Sequence, residues 1–244
     1  MSKFLGVIVS VILILGGGFY VYENKFKSPQ NNEVFEEYHP LESENEESPE
    51  ETPEVIPAKA YVELPFLSQA PYKIWDPLHE DACEEAAFLM VKYFLEGNKQ
   101  TVYPIDKGDE DIIAMVAYEE KNGYGLSITL EQLATIVKNI YGMENSRIEK
   151  NITIDDIKKE IASGKPVIIG AAGKILPNPH FRNGGPVYHM LVVKGYDEKG
   201  FITNDPGTQF GRNFRYTEQD LYNAIHNWNE ADIMKGEKAY LVFD

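Results

Sequence analysis

Cys83, His189 and Asp205 carry the side chains in this sequence that could together perform nucleophilic catalysis. A cysteine thiolate attacks carbonyl carbons, and it needs a base to remove the thiol proton. A carboxylate bonded to an imidazole fixes the tautomer of the ring and stabilises the imidazolium. These residue types therefore indicate acyl-transfer chemistry such as amide hydrolysis. Cys83 is the only cysteine, so no intrachain disulfide can form, and its alternative role is that of a small buried hydrophobe.

An amphipathic helix is predicted to carry Cys83. Apolar residues recur at helical spacing from Ala82 to Phe94, Asp81 is a good N-cap, and Gly97 provides a stop signal. Cys83 would then lie in the first helical turn, where unpaired N–H groups and the helix dipole favour a thiolate. We therefore expect its pKa to lie below that of a free thiol.

The strongest candidate for the base is His189, because it interrupts the otherwise apolar strand predicted over residues 187–196. A turn at residues 197–200 would make the next strand its antiparallel neighbour, and Asp205 follows that strand. Both side chains would then lie towards the same end of the hairpin. The alternative is a core histidine bonded to a backbone carbonyl. The other histidines are less well placed for catalysis: His39, His79, His180 and His226.

The order of the predicted elements favours an α+β domain with a meandering sheet. After a short strand near residue 60, helices come mostly first, and strands dominate from residue 166 onwards. Helices are predicted over residues 82–96, 109–120, 129–141, 153–162 and 217–227, and strands over 60–65, 166–171, 187–196, 201–204 and 238–243. Residues 173–186 form a long loop rich in proline and glycine, which is typical of a functional rim.

Four stretches of the sequence, in this order, resemble the C39-like cysteine peptidase family of the papain-like superfamily. They are residues 64–69 (Leu-Pro-Phe-Leu-Ser-Gln), Cys83 on its helix, residues 188–197, and residues 204–207 (Asn-Asp-Pro-Gly). The resemblance covers most of residues 60–210 and extends to the domains that process double-glycine leader peptides. One departure is that Glu84 follows the cysteine, where the family usually has glycine.

The resemblance implies a papain-like fold, in which an N-terminal helical part with the nucleophile helix packs on an antiparallel sheet. It also implies that Cys83 is the nucleophile, that His189 is the general base and acid, and that Asp205 orients His189. Gln69 would help to form the oxyanion hole. A peptide or protein would be the substrate. A carboxylate at Glu84 would oppose thiolate formation unless it pointed into solvent.

The N-terminal part of the chain indicates membrane attachment. Residues 4–22 are uncharged and apolar, long enough to span a bilayer, and no small-residue cleavage site follows them. We therefore expect a signal-anchor in residues 1–27 rather than a cleaved signal peptide, which is the alternative. Residues 28–57 contain ten glutamates and no lysine or arginine, which predicts an acidic, disordered tether. The peptidase domain would occupy residues 58–244, outside the cytoplasm.

Other functions have little support in the sequence. The formal net charge is −16 and there is no basic block, which argues against nucleic acid as a partner. A His-Glu-x-x-His motif and paired cysteines are absent, so no metal or other cofactor is expected. Two alternatives to a membrane-tethered peptidase remain. They are a catalytically silent domain that binds peptides or partners, and a transglutaminase-like acyl transferase.

Overall fold

A seven-stranded antiparallel sheet forms the centre of the structure, a computed structural model that describes residues 55–244. Its strands are β1 (Ala60–Tyr61), β2 (Ser146–Lys150), β3 (Val167–Ala172), β4 (Tyr188–Asp197), β5 (Gly200–Asn204), β6 (Arg212–Tyr216) and β7 (Ala239–Phe243). The order is β2-β7-β3-β4-β5-β6, and β1 adds to β4. From β3 to β6 the strands form a meander, so β4 lies at the centre of the sheet.

Six helices surround the sheet. They are α1 (Pro77–Glu80), α2 (Cys83–Leu95), α3 (Ile105–Asn122), α4 (Leu130–Tyr141), α5 (Ile154–Ala162) and α6 (Glu218–Ala224). Capping boxes at Thr129 and Thr153 start α4 and α5, because each hydroxyl accepts an N–H of the first turn and is matched by a returning side chain. Gly142, at φ 68°, adopts the left-handed conformation that ends α4.

The two faces of the sheet are covered by different helices, because side chains alternate along each strand. Met190 and Val192 of β4 pack in one core with α2, α3 and α4. Leu191 and Val193 point the other way and pack in a second core with α5 and α6. The first turn of α2 is therefore held against the beginning of β4, the region that carries His189.

The predicted fold class is confirmed: the chain is α+β, with the cysteine helix packed on an antiparallel sheet. The start of α2 differs in detail from the prediction. Asp81 ends α1 instead of capping α2, and Ala82 occupies the N-cap without a side-chain hydrogen bond. Strands β2 and β6 were not predicted, because their sequences are polar and half exposed.

The predicted membrane anchor at residues 1–27 lies outside the described residues, as does nearly all of the tether at 28–57. Within residues 55–244, no helix combines the length and the hydrophobicity that crossing a membrane requires.

Candidate active site

His189 and Asp205 form a direct hydrogen bond, as the hairpin geometry predicted. The Nε2 atom of His189 lies 2.7 Å from Oδ1 of Asp205, and both side chains are almost completely buried. His189 is the second residue of β4, and Asp205 directly follows its partner strand β5. Because Nε2 is committed to the carboxylate, Nδ1 is the ring nitrogen that remains available for a proton from another group.

The carboxylate of Asp205 is held by further donors. Its Oδ2 accepts hydrogen bonds from the Tyr216 hydroxyl at 2.6 Å and from the Asn178 amide at 3.0 Å, while Oδ1 also accepts the Gly207 N–H. Burial acts to raise the pKa of Asp205, but the charge of protonated His189 and the accepted hydrogen bonds outweigh it and lower the pKa. Asp205 therefore stays ionised and can stabilise an imidazolium at His189.

The imidazole of His189 is also fixed by packing. The ring of Phe181 meets it edge to face, with centroids 5.3 Å apart. The backbone of Gly207 also approaches so closely that a Cβ atom there would lie 2.8 Å from Cε1 of His189. Position 207 therefore requires glycine, because any residue with a Cβ atom would clash with the imidazole. These contacts leave the ring little freedom to rotate.

Cys83 is the first residue of α2, and its side chain is buried. Its thiol donates a hydrogen bond to Oε2 of Glu84 at 2.9 Å, and its sulfur accepts the N–H of Met190 at 3.3 Å. Met190 follows His189 directly in β4, so the sulfur is in contact with the strand that carries the imidazole. Within residues 55–244, no hydrogen bond joins the sulfur to the imidazole itself.

The protonation of Cys83 departs from the prediction of a lowered pKa. Burial raises the pKa of the thiol well above its usual value, and the charge and hydrogen bond of Glu84 raise it further. The hydrogen bond from the Met190 N–H lowers the pKa, but by less than burial and Glu84 raise it. Glu84 is itself buried, which raises its pKa to about 8. The prediction was wrong because the start of the helix is covered by protein and a carboxyl group takes the position next to the sulfur.

A cavity of about 330 Å³ opens onto these residues and is defined here as the catalytic cavity. Both Cys83 and His189 line it, together with Gln69 and Gly207. The predicted rim loop at residues 173–186 supplies one wall, including Phe181 and Pro186. The structure thus brings all the candidate catalytic residues to one cavity except Asp205, which lies behind the imidazole.

The amide of Gln69 does not have the orientation that an oxyanion donor requires. Its Nε2 donates to the carbonyls of His79 and Glu80, both at 2.9 Å, so both N–H groups are used. Turning the amide over would place its oxygen against those two carbonyls, which is unfavourable. Among the described residues, the buried Oε1 of Gln69 has no partner. In this arrangement Gln69 holds the end of α1 at the cavity, and both of its amide N–H groups are occupied by carbonyl oxygens.

Replacing Gln69 with alanine is expected to lower the free energy of unfolding by about 1–3 kcal/mol, because two carbonyl groups at the end of α1 lose their donor. Urea denaturation followed by circular dichroism measures this difference. Gln219→Ala serves as the control, because that glutamine is exposed on α6 and bonds only to a neighbouring side chain. Unchanged stability, with turnover reduced about a hundredfold, would contradict this assignment and restore Gln69 as an oxyanion donor.

The other histidines within residues 55–244 are His79, His180 and His226. His79 is buried between two carboxylates, at 2.8 Å from Asp76 and 3.1 Å from Asp109. His180 is exposed, and its ring stacks near Phe210 with centroids 4.7 Å apart. His226 is buried, with its Nδ1 2.9 Å from the carbonyl oxygen of Gly236. His39 lies outside the described residues.

A family model described as the Peptidase C39 like family matches residues 61–232, a range that includes Cys83, His189 and Asp205. A crystal structure from Bacillus anthracis, described as a C39-like peptidase, is 16% identical with a TM-score of 0.49, and the alignment covers 76% of this chain and 97% of that one. Xylellain, a cysteine protease from Xylella fastidiosa, is 14% identical with a TM-score of 0.33, covering 78% and 87%. A search of curated proteins found no match.

Proposed function

The chain belongs to the Peptidase C39 like family and is accordingly a cysteine peptidase, and we propose that it hydrolyses peptide bonds with Cys83 as nucleophile, His189 as general base and acid, and Asp205 as the residue that orients His189. The observation that carries this proposal is the buried 2.7 Å hydrogen bond between His189 and Asp205 at a cavity that Cys83 also lines. A carboxylate, an imidazole and a thiol in this order match the requirements of thiol-dependent acyl transfer.

The proposed reaction has two steps. Nδ1 of His189 takes the proton of the Cys83 thiol, and the sulfur attacks the carbonyl carbon of the peptide bond. When the tetrahedral intermediate collapses, the imidazolium gives its proton to the leaving amine, which leaves a thioester on Cys83. In the second step water attacks the thioester while His189 accepts its proton, and the carboxylic acid and the free thiol are released. Backbone N–H groups at the uncapped start of α2 are the donors available to the oxyanion.

The protonation state of Glu84 determines how this residue affects the Cys83 thiolate. Because its pKa is raised to about 8, its carboxyl group is mostly neutral near neutral pH. In that state it adds no negative charge beside the sulfur, and its O–H can donate to the thiolate that forms. Above about pH 8 the carboxylate opposes the thiolate. The proposed enzyme is therefore expected to be active below about pH 8, where Glu84 is protonated.

A library of internally quenched peptides, incubated with the full chain and with its Cys83→Ala variant, tests the proposed function. We expect cleavage by the unmodified chain, with product masses that show addition of water, and no cleavage by the variant. An added primary amine distinguishes hydrolysis from acyl transfer, because a transferase would form the amide in place of the acid. Cleavage that survives in the variant, or an amide as the main product, would overturn the proposal.

We also propose that the peptidase is tethered to the outer face of the cell membrane. The support is the uncharged run at residues 4–22, followed by the acidic segment at 28–57, which is typical of an extended linker. A protease added to intact cells is then expected to release a soluble fragment by cleavage within residues 28–57. Immunoblotting of the supernatant measures the release. Protection of the domain until the cells are lysed would contradict this location.

A further inference from the structure

A second cavity of about 520 Å³ adjoins the catalytic cavity, and we name it the acidic cavity. Its walls come from α1, from the first turn of α2, from the C-terminal half of α3 and from the loop between α3 and α4. Asp81 and Leu126 line both cavities, so the two cavities adjoin at these residues. Glu85 in the wall lies two residues after Cys83 in the same helical turn.

The lining of the acidic cavity is strongly negative. Four of its residues are acidic, and within the described part of the chain none of its lining residues is a lysine, arginine or histidine. The acidic residues are Asp81, Glu85, Glu119 and Glu120. Carboxylates that are simply solvated point outwards on a protein surface, whereas Glu85 is only 3% exposed and Glu119 only 6% exposed. Burial of this kind is costly unless each charge meets a partner.

The two buried glutamates lack such partners. Among residues 55–244, no N–H or O–H group of another residue reaches Oε2 of Glu85 or Oε1 of Glu119. The two carboxyl groups are close enough for each to affect the protonation of the other. Burial, followed by the charge of Glu119, raises the pKa of Glu85 well above its usual value. Within residues 55–244, no cationic side chain lines the cavity to neutralise this pair.

A positively charged ligand would satisfy both carboxylates at once. The ligand could be a metal ion or an organic cation, and the lining of the cavity favours the second. Within residues 55–244, no cluster of three or more His, Cys, Asp or Glu side chains has metal-binding geometry, which disfavours a metal ion. An organic cation needs fewer ligands and fills more space. The ring of Tyr124 also lines the acidic cavity, and aromatic faces suit the planar guanidinium group. Two carboxylates also match its forked donors.

We propose that the acidic cavity is a substrate subsite that binds a cationic side chain of the peptide, with arginine preferred over lysine. This inference rests on the proposed function, because a peptide held at Cys83 must extend past the wall formed by Asp81 and Leu126 to reach Glu85 and Glu119. Binding would place the guanidinium beside both carboxyl groups. The subsite would then select substrates by charge, next to the bond that is cleaved.

The test uses internally quenched octapeptides in which each position in turn carries arginine, lysine or citrulline. Citrulline has nearly the shape of arginine but no charge, so the ratio of kcat/KM for the two residues isolates the effect of the charge. At one position we expect arginine to be favoured over citrulline about tenfold or more, which is the size of a buried, charge-assisted hydrogen bond.

Glu119→Gln is the informative variant, because Glu119 lies on α3 and does not line the catalytic cavity. It is expected to lower the preference for arginine about tenfold and to leave kcat/KM for the citrulline peptide nearly unchanged. Glu110→Gln is the matched control, because it removes the same charge from the exposed face of the same helix. An equal loss of preference in both variants would indicate long-range attraction instead of a subsite and would overturn the inference.

Failure of the subsite and failure of the proposed function give different results. Peptide cleavage that requires Cys83 but shows equal kcat/KM for arginine and citrulline at every position would overturn the subsite alone. If no peptide is cleaved, calorimetric titration of the Cys83→Ala variant with the same peptides decides the question without chemistry. Tighter binding of the arginine peptides, lost in a variant that also carries Glu119→Gln, is then the expected result. Equal affinities would overturn the subsite.

Discussion

Peptide hydrolysis by the His189→Ala variant is expected to fall by about 100- to 10,000-fold in kcat/KM, the usual contribution of a general base. The imidazole has a carboxylate behind it and a free ring nitrogen, whereas Glu84, which accepts the thiol hydrogen bond, is mostly protonated near neutral pH and cannot then take the thiol proton. The loss should appear in kcat more than in KM, because proton transfer belongs to the chemical step. Steady-state kinetics with the best peptide of the library measures it.

His180→Ala is the control for this prediction. His180 lies in the loop that forms a wall of the catalytic cavity, but its ring is exposed and packs against Phe210. Its removal should leave most of the turnover. The His189 variant must also remain folded, which circular dichroism establishes. A folded His189→Ala variant with more than about a tenth of normal kcat/KM would remove His189 from the mechanism.

Glu84→Gln is expected to increase the rate at which Cys83 reacts with iodoacetamide by roughly 10- to 100-fold at about pH 9. In the unmodified chain, Glu84 loses its proton near pH 8 and its carboxylate then keeps the neighbouring thiol protonated. An amide carries no charge, and its N–H can donate to the thiolate. The difference between the two proteins should therefore grow as the pH rises through about 8 and should shrink below it.

Glu80→Gln controls for the general effect of removing a negative charge at the catalytic cavity. Glu80 also lines this cavity, but it is exposed and pairs with Arg182 at 3.0 Å. Its removal should change the alkylation rate of Cys83 little. Equal rates for the Glu84→Gln variant and the unmodified chain across the pH range would show that the hydrogen bond between Glu84 and the thiol does not control the reactivity of the sulfur.

The helices and strands that have clear start and stop residues in the sequence were predicted well. Thr129 and Thr153 begin their helices as expected, because a hydroxyl followed three residues later by a matching side chain forms a capping box. The strand that carries His189 was predicted because β4 is buried on both faces. Strand β6 could not be predicted, because its residues alternate poorly and owe their conformation to pairing with β5.

The candidate site was predictable to the extent that it depends on hairpin geometry. The contact between His189 and Asp205 follows from two antiparallel strands and the turn between them. The donors to Asp205 from Asn178 and Tyr216 had no signal in the sequence, because one lies in the irregular loop and the other at the end of β6. The raised pKa of Cys83 was also not foreseeable, since it depends on how deeply the start of α2 is buried.

Trapping of the acyl-enzyme is the measurement that decides whether Cys83 is the nucleophile. The full chain is mixed with a cleavable peptide, quenched in acid within the first turnover, and examined by intact mass and by peptide mapping. The account predicts a covalent adduct with the mass of the acyl portion of the peptide, located on Cys83 and absent from the His189→Ala variant. Hydrolysis that proceeds at full rate without any adduct on Cys83, and that persists in Cys83→Ala, would contradict it.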